Sequence, residues 1–122
     1  MICITKGKIF TMEGPVYASG SVLIENGRIK AVGDDMDIPD DAEIIDAGGM
    51  YVLPGIVDPH CHIGMWEDGM GFEGADGNEA TDPITPALRA IDSINPLDYC
   101  FTEAREHGVT TVVTGPGSAN VI

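Results

Sequence analysis

The sequence predicts an α/β protein in two parts, a β-rich stretch over residues 1–53 and a β/α alternation over residues 54–122. Three observations carry this reading. Apolar β-branched residues in the first part fall in runs too short for helices and are separated by turn residues. An Asn26-Gly27 pair sits between two such runs. After a Pro54-Gly55 break, a strand, a capped helix and a second strand follow one another. A length of 122 residues, 43% of them hydrophobic, is enough to bury a core.

In order, Ile2, Ile4 and Ile9 mark the first strand region, Val22 and Ile24 the next, and Ile29, Ala31 and Val32 a third. Asn26-Gly27 supplies the two positive-φ residues of a tight turn, so the run from Ser21 to Gly33 reads as a β-hairpin. Glu43-Ile-Ile-Asp46 adds a strand, and Ala47-Gly48-Gly49 turns the chain into Met50-Tyr-Val-Leu53. The apolar strand from Tyr51 to Asp58 is interrupted by Pro54-Gly55, which sets a boundary near 50–55. Residues 63–83 are rich in glycine and acid and lack periodicity, which reads as a loop over a site.

Two helix starts follow, Thr85-Pro86 and Asn95-Pro96, each a side-chain cap with proline at the first helical position. From the second, Leu97, Cys100, Phe101 and Ala104 share one face and Gly108 ends the helix. Val109-Thr-Thr-Val-Val-Thr114 is then a strand, parallel to the strand before the loop because a helical crossover joins them.

Composition excludes several function classes. A formal charge of −14 with six basic residues argues against nucleic-acid binding and against an anionic membrane surface. The acid run over residues 34–43 lacks the spacing, central glycine and closing glutamate of a calcium loop and reads as solvated surface. No apolar stretch approaches the ~20 residues of a membrane span, and residues 1–10 carry lysines without a signal-type apolar run, so a cytoplasmic location is expected. Cys3, Cys61 and Cys100 form no CxxC pair and read as reduced thiols, with Cys3 and Cys100 packing inward as small hydrophobes.

The residues that carry chemistry are His60 and His62. At i and i+2 on a strand their side chains share a face while Cys61 points away, so two imidazoles at the strand's carboxyl end can chelate one divalent ion. A histidine pair satisfied by backbone hydrogen bonds is the competing reading. Three neighbours shift the balance toward metal. Asp58, on the same face, is placed to orient a ligand ring; Pro59 favours a strand that ends there; and the long loop opens from this end, where α/β folds set their sites.

The run Pro54-Gly-Ile-Val-Asp-Pro-His-Cys-His62 resembles the Pro-Gly-x-x-Asp-x-His-x-His signature of the amidohydrolase superfamily, preceded by Asn26-Gly-Arg-Ile-Lys-Ala-Val-Gly33 and followed by Gly108-Val-Thr-Thr111. The likeness is strongest to its imidazolonepropionase-related, dihydroorotase-like members, through His-Cys-His-Ile-Gly-Met-Trp-Glu-Asp-Gly and Thr-Gly-Pro-Gly-Ser-Ala-Asn. The resemblance implies the amino-terminal part of a small β-sandwich over residues 1–53, followed over 54–122 by the first two β/α units of a TIM-type (β/α)8 barrel. It implies a divalent metal, zinc first, as one or two ions, with His60 and His62 as ligands. It also implies hydrolysis of a C–N bond in a cyclic amide, amidine or related small molecule by a metal-activated water. The remaining ligands and the general base are expected beyond Ile122, so the segment alone is expected to be inactive.

Other residues are weaker candidates. Trp66, Glu67 and Asp68 can line the mouth of the pocket, with Trp66 equally suited to a packing role. Gly115-Pro-Gly117-Ser118, directly after a strand, is placed to bring backbone amides toward a substrate or to make a plain turn. The Gly69-Met-Gly-Phe-Glu-Gly74 match to a dinucleotide pattern lies outside any strand-to-helix turn and among acids, and reads as accidental. His107, at the end of the crossover helix, reads as a helix-terminal residue. A homo-oligomer is expected, and a non-catalytic, self-associating β-rich module is the alternative function.

Overall fold

The first part is organised around one strand, β1 (Ile2–Phe10), whose alternate residues Cys3, Thr5, Gly7 and Ile9 are buried. A computed structural model describes residues 1–67 and 69–118. It divides into two units, Met1–Pro54 and the chain from Gly55 onward. In the first unit, β1 pairs antiparallel with β2 (Val16–Glu25) and parallel with β4 (Glu43–Asp46) and β5 (Tyr51–Val52). β2 continues through the hairpin into β3 (Arg28–Gly33), giving the order β3-β2-β1-β4.

The hairpin turns as its sequence predicts, with Asn26 at φ 52° and Gly27 at φ 72°. The inner face differs from the simplest reading of the apolar pattern. Ile2 and Ile4 are only half-buried, and the core is built by Cys3, Ile9, Val22, Leu23 and Ala47. A register shift between Ile4 and Gly7, with Lys6 at φ 59°, bends β1 there. Gly7 lies opposite Gly20, and a Cβ on Gly7 would come 2.4 Å from Val52, so the inner face closes only because this position has no side chain.

In the second unit, β6 (Ile56–Cys61) and β7 (Val109–Thr114) are parallel, and α1 (Tyr99–Glu106) lies between them in sequence. This is the expected strand–helix–strand crossover. β6 continues through Pro59 to Cys61 instead of ending at the proline, because the pairing is irregular between Asp58 and Cys61 and the missing N–H interrupts no regular ladder.

Two helix expectations are corrected. At Thr85-Pro86 there is only a turn, with Leu88 N–H donating to the Thr85 carbonyl, and a short 3-10 turn follows at Ala90–Asp92. A helix started at Pro86 would have to stop before Pro96, and Ser93 closes the 3-10 turn by bonding the Ala90 carbonyl through both its N–H and its hydroxyl. The second helix begins later than Asn95-Pro96 suggests. Asn95 caps a preceding turn by accepting from Leu97 N–H, and Asp98 is the helix cap, accepting from Cys100 N–H at 3.2 Å. Leu97 is therefore outside the helix and 89% exposed, while Cys100 is half-buried instead of fully inward. Gly108, at φ 85°, ends the helix as expected. Among the described residues no helix is long and apolar enough to cross a membrane.

Candidate metal centre

The site grows from the parallel pairing. Cys61 of β6 lies opposite Thr114 of β7, Gly115 N–H donates to the Cys61 carbonyl, and the Thr114 hydroxyl donates to the Ile63 carbonyl at 2.8 Å. The carboxyl ends of the two strands are thus fastened to each other where the histidines stand. The Cys61 thiol is turned to the Val113 carbonyl, 3.6 Å away. The rings of His60 and His62 come together, with centroids 5.3 Å apart in an edge-to-face arrangement.

The two rings differ in surroundings. His60 is exposed. His62 is half-buried, and its Nδ1 lies 2.6 Å from the Gly115 carbonyl oxygen. A carbonyl has no proton to give, so Nδ1 is the donor and carries the hydrogen. In the neutral ring Nε2 then holds the free lone pair, which is the state a metal-ligating imidazole requires. Asp58 acts on His60 through the main chain: its Oδ1 accepts from His60 N–H at 3.1 Å, so it fixes the backbone at the first histidine and not an imidazole ring.

The segment after His62 is pinned. Met65 is fully buried, its N–H donates to the His62 carbonyl, and its own carbonyl accepts from Asp76 N–H. Gly64 is held at both ends of the residue: Asn95 N–H donates to its carbonyl at 2.7 Å, and its N–H donates to Asp98 Oδ2 at 3.1 Å. Asp98 and Thr114 were not singled out by sequence reasoning, and Asn95 was read only as a helix cap. An acidic residue directly ahead of the helix was the one available signal for Asp98.

The other candidates sit as follows. Trp66 is 44% exposed, with its indole over Gly77, where a Cβ would come within 2.5 Å of the ring. That is a packing role with a face to solvent. Glu67 is held by its backbone at φ 26°, its carbonyl accepting from Met70 N–H. Asp68 lies outside the described residues. The amides of Gly115 and Gly117 are already donated, to the carbonyls of Cys61 and Gly77, so this segment serves as a strap between strand end and loop; Ser118 is exposed at its end. His107 caps α1, with Nδ1 2.8 Å from the Glu103 carbonyl. Among the described residues no group of three or more histidine, cysteine or acidic side chains is placed to hold a metal.

A cleft of about 440 Å³ lies alongside, lined by Asp76, Asn78, Arg89 and Gly117 among others. Its charges are largely spoken for. Arg89 pairs with both oxygens of Asp92, which raises its pKa, and the Thr81 hydroxyl and amide hold the Glu79 carboxyl below its ordinary range.

No family model matches the chain. It is 44% identical over 107 residues to the amidohydrolase tasK of Hapsidospora irregularis, covering 84% of this chain and 11% of that protein. It is 34% identical over 85 residues to the D-hydantoinase of Geobacillus stearothermophilus, covering 70% of this chain and 17% of that one. Among solved structures, an amidohydrolase from Thermotoga maritima MSB8 superposes on 98% of this chain with a TM-score of 0.88 and 42% identity. The chain spans about a tenth of the length of the first relative and 31% of that solved structure.

Proposed function

The chain belongs to the amidohydrolase superfamily, and from that premise we propose that it is the amino-terminal portion of a metal-dependent hydrolase acting on a non-peptide C–N bond of a small molecule. The substrate class is a cyclic amide, amidine or related compound. His60 and His62 would hold a divalent ion, zinc first, as part of a site for one or two ions. When bound, the ion supplies Lewis acidity and an activated water near neutral pH. What this chain's residues contribute is the orientation of two imidazoles, with Asp58 bracing the backbone of the first and the Gly115 carbonyl setting the tautomer of the second.

The observation that carries this reading is the hydrogen bond from His62 Nδ1 to Gly115 O. In the neutral ring it leaves Nε2 as the free lone pair, which suits a ligand pair better than a pair satisfied by hydrogen bonds at both nitrogens. A second observation supports the barrel reading of the chain from Gly55 onward. Parallel sheets are stable with both faces covered, yet Ile56, Val57 and Val113 are 56%, 60% and 60% exposed. Further strands and helices of a longer protein, the remaining units of a TIM-type barrel, would cover them and bring the other ligands and the general base. The segment alone is then inactive. A cytoplasmic homo-oligomer remains part of the proposal.

Metal analysis of the full-length protein by mass spectrometry tests it. About one equivalent or more of divalent metal per chain is expected, falling sharply in His60→Ala. Less than about half an equivalent, unchanged by that substitution, would contradict the site.

A further inference from the structure

We propose that Asp98 is a positioning residue for the metal site, acting on His62 through the backbone of Gly64; this rests on the reading of His60 and His62 as ligands. Asp98 is far from the histidines in sequence and carries no mark of the superfamily signature. It is 8% exposed, and no other charged side chain among the described residues is as buried. A buried carboxylate is costly unless its oxygens are matched to donors. Here each oxygen has one: Oδ1 takes the Cys100 N–H at the start of α1, and Oδ2 takes the Gly64 N–H two residues past His62.

The Gly64 bond reaches beyond helix capping. Capping needs one acceptor oxygen, and serine or threonine supplies it. The second oxygen ties the loop to the helix, and it does so at a residue with φ 85°, where the chain turns back from the strand. Asn95 N–H grips the carbonyl of the same residue, Met65 N–H grips the carbonyl of His62, and the Thr114 hydroxyl grips that of Ile63. The main chain leaving His62 is therefore fixed from α1 on one side and from β7 on the other. The His62 ring can keep its bond to Gly115 only while that main chain holds its place. Of the bonds that hold it, the one to Asp98 is charge-assisted and buried, and is expected to resist water best.

Serine separates the two roles. Asp98→Ser keeps a cap for Cys100 but is too short to reach Gly64. In full-length protein labelled with 15N-histidine and stripped of metal by a chelator, the wild-type His62 ring is expected to show the Nδ1-protonated tautomer. In Asp98→Ser the two nitrogens average toward a tautomer mixture and zinc affinity falls about tenfold, while the melting temperature drops because the buried Gly64 N–H loses its acceptor even though the cap survives. Should Asp98→Ser not fold, Asp98→Asn is measured the same way, since it retains side-chain volume but turns an amide donor or a single oxygen toward two N–H groups. An unchanged His62 spectrum together with unchanged zinc affinity overturns the proposal. If the wild type binds no zinc, the metal reading falls, and the His62 spectrum alone decides whether Asp98 positions the ring.

Discussion

The imidazole Nδ1 of His62 and the main-chain carbonyl of Gly115 are joined at 2.6 Å, linking the residue that follows β6 to the residue that follows β7. The acceptor belongs to the backbone, so the ring is oriented by strand pairing and not by the identity of a neighbouring side chain. This explains how a proposed ligand is held without a dedicated carboxylate partner.

The bond makes opposite forecasts for its two ends. Gly115→Ala leaves the carbonyl in place, and a Cβ there meets nothing within 4 Å, so stability should change by no more than about 0.5 kcal/mol and zinc affinity hardly at all. His62→Ala removes the ring and should cost more than the ~10–100-fold in zinc affinity typical of losing an outer partner. Competition titrations with a chromophoric chelator measure both. Equal losses in the two variants would show that the ring is not a ligand.

Gly64 should tolerate far less. Its φ is 85°, and a Cβ would come 2.8 Å from the Phe101 ring and 3.0 Å from Ile94. Gly64→Ala is expected to destabilise the fold by about 1–3 kcal/mol, read as a shift of the urea midpoint with unchanged slope. An unshifted midpoint would mean the loop is not seated on α1 as described.

Asp46 provides a pH test in the first unit. The hydrogen bond from the Lys6 ammonium, then that from Gly48 N–H, hold its carboxyl below its ordinary range. A carboxyl depressed in the folded state stabilises fully above its unfolded pKa of about 3.9, and the gain is lost as pH falls through the lower folded value. Lys6→Met should raise the Asp46 pKa toward the ordinary value, as followed by carboxyl 13C shifts, with no effect on stability at neutral pH beyond that of a weak exposed pair. A pKa that does not move would rule out the pairing.

Thiol labelling distinguishes the cysteines. Cys3 is fully buried in the core and burial raises its pKa, so it should stay unmodified by iodoacetamide until the first unit unfolds. Cys61 is only half-buried and should react before Cys3. Peptide mass mapping over a urea series gives the order, and early modification of Cys3 would contradict the packing of β1.

Much of this was legible in the sequence because it is local. Asn26-Gly27 specifies its turn through φ values few other residues adopt, and the i, i+2 spacing of His60 and His62 follows from the strand period. Thr85-Pro86 looked like a helix start because it has the right residues, yet the chain there makes only a turn and a 3-10 turn that Ser93 closes on the Ala90 carbonyl. Asn95-Pro96 read as the cap, yet the helix starts at Asp98, which also satisfies the buried N–H of Gly64, a contact that no local pattern encodes.

By itself, then, the sequence determined the hairpin, the parallel crossover and the pairing of two imidazoles on one strand end, all matters of backbone period and turn chemistry. The tertiary structure alone decided which nitrogen of His62 carries the proton, that Asp58 braces a backbone and not a ring, and that Asp98 grips the loop. Those depend on hydrogen bonds between groups far apart in the chain, whose partners exist only once β7 and α1 are in place.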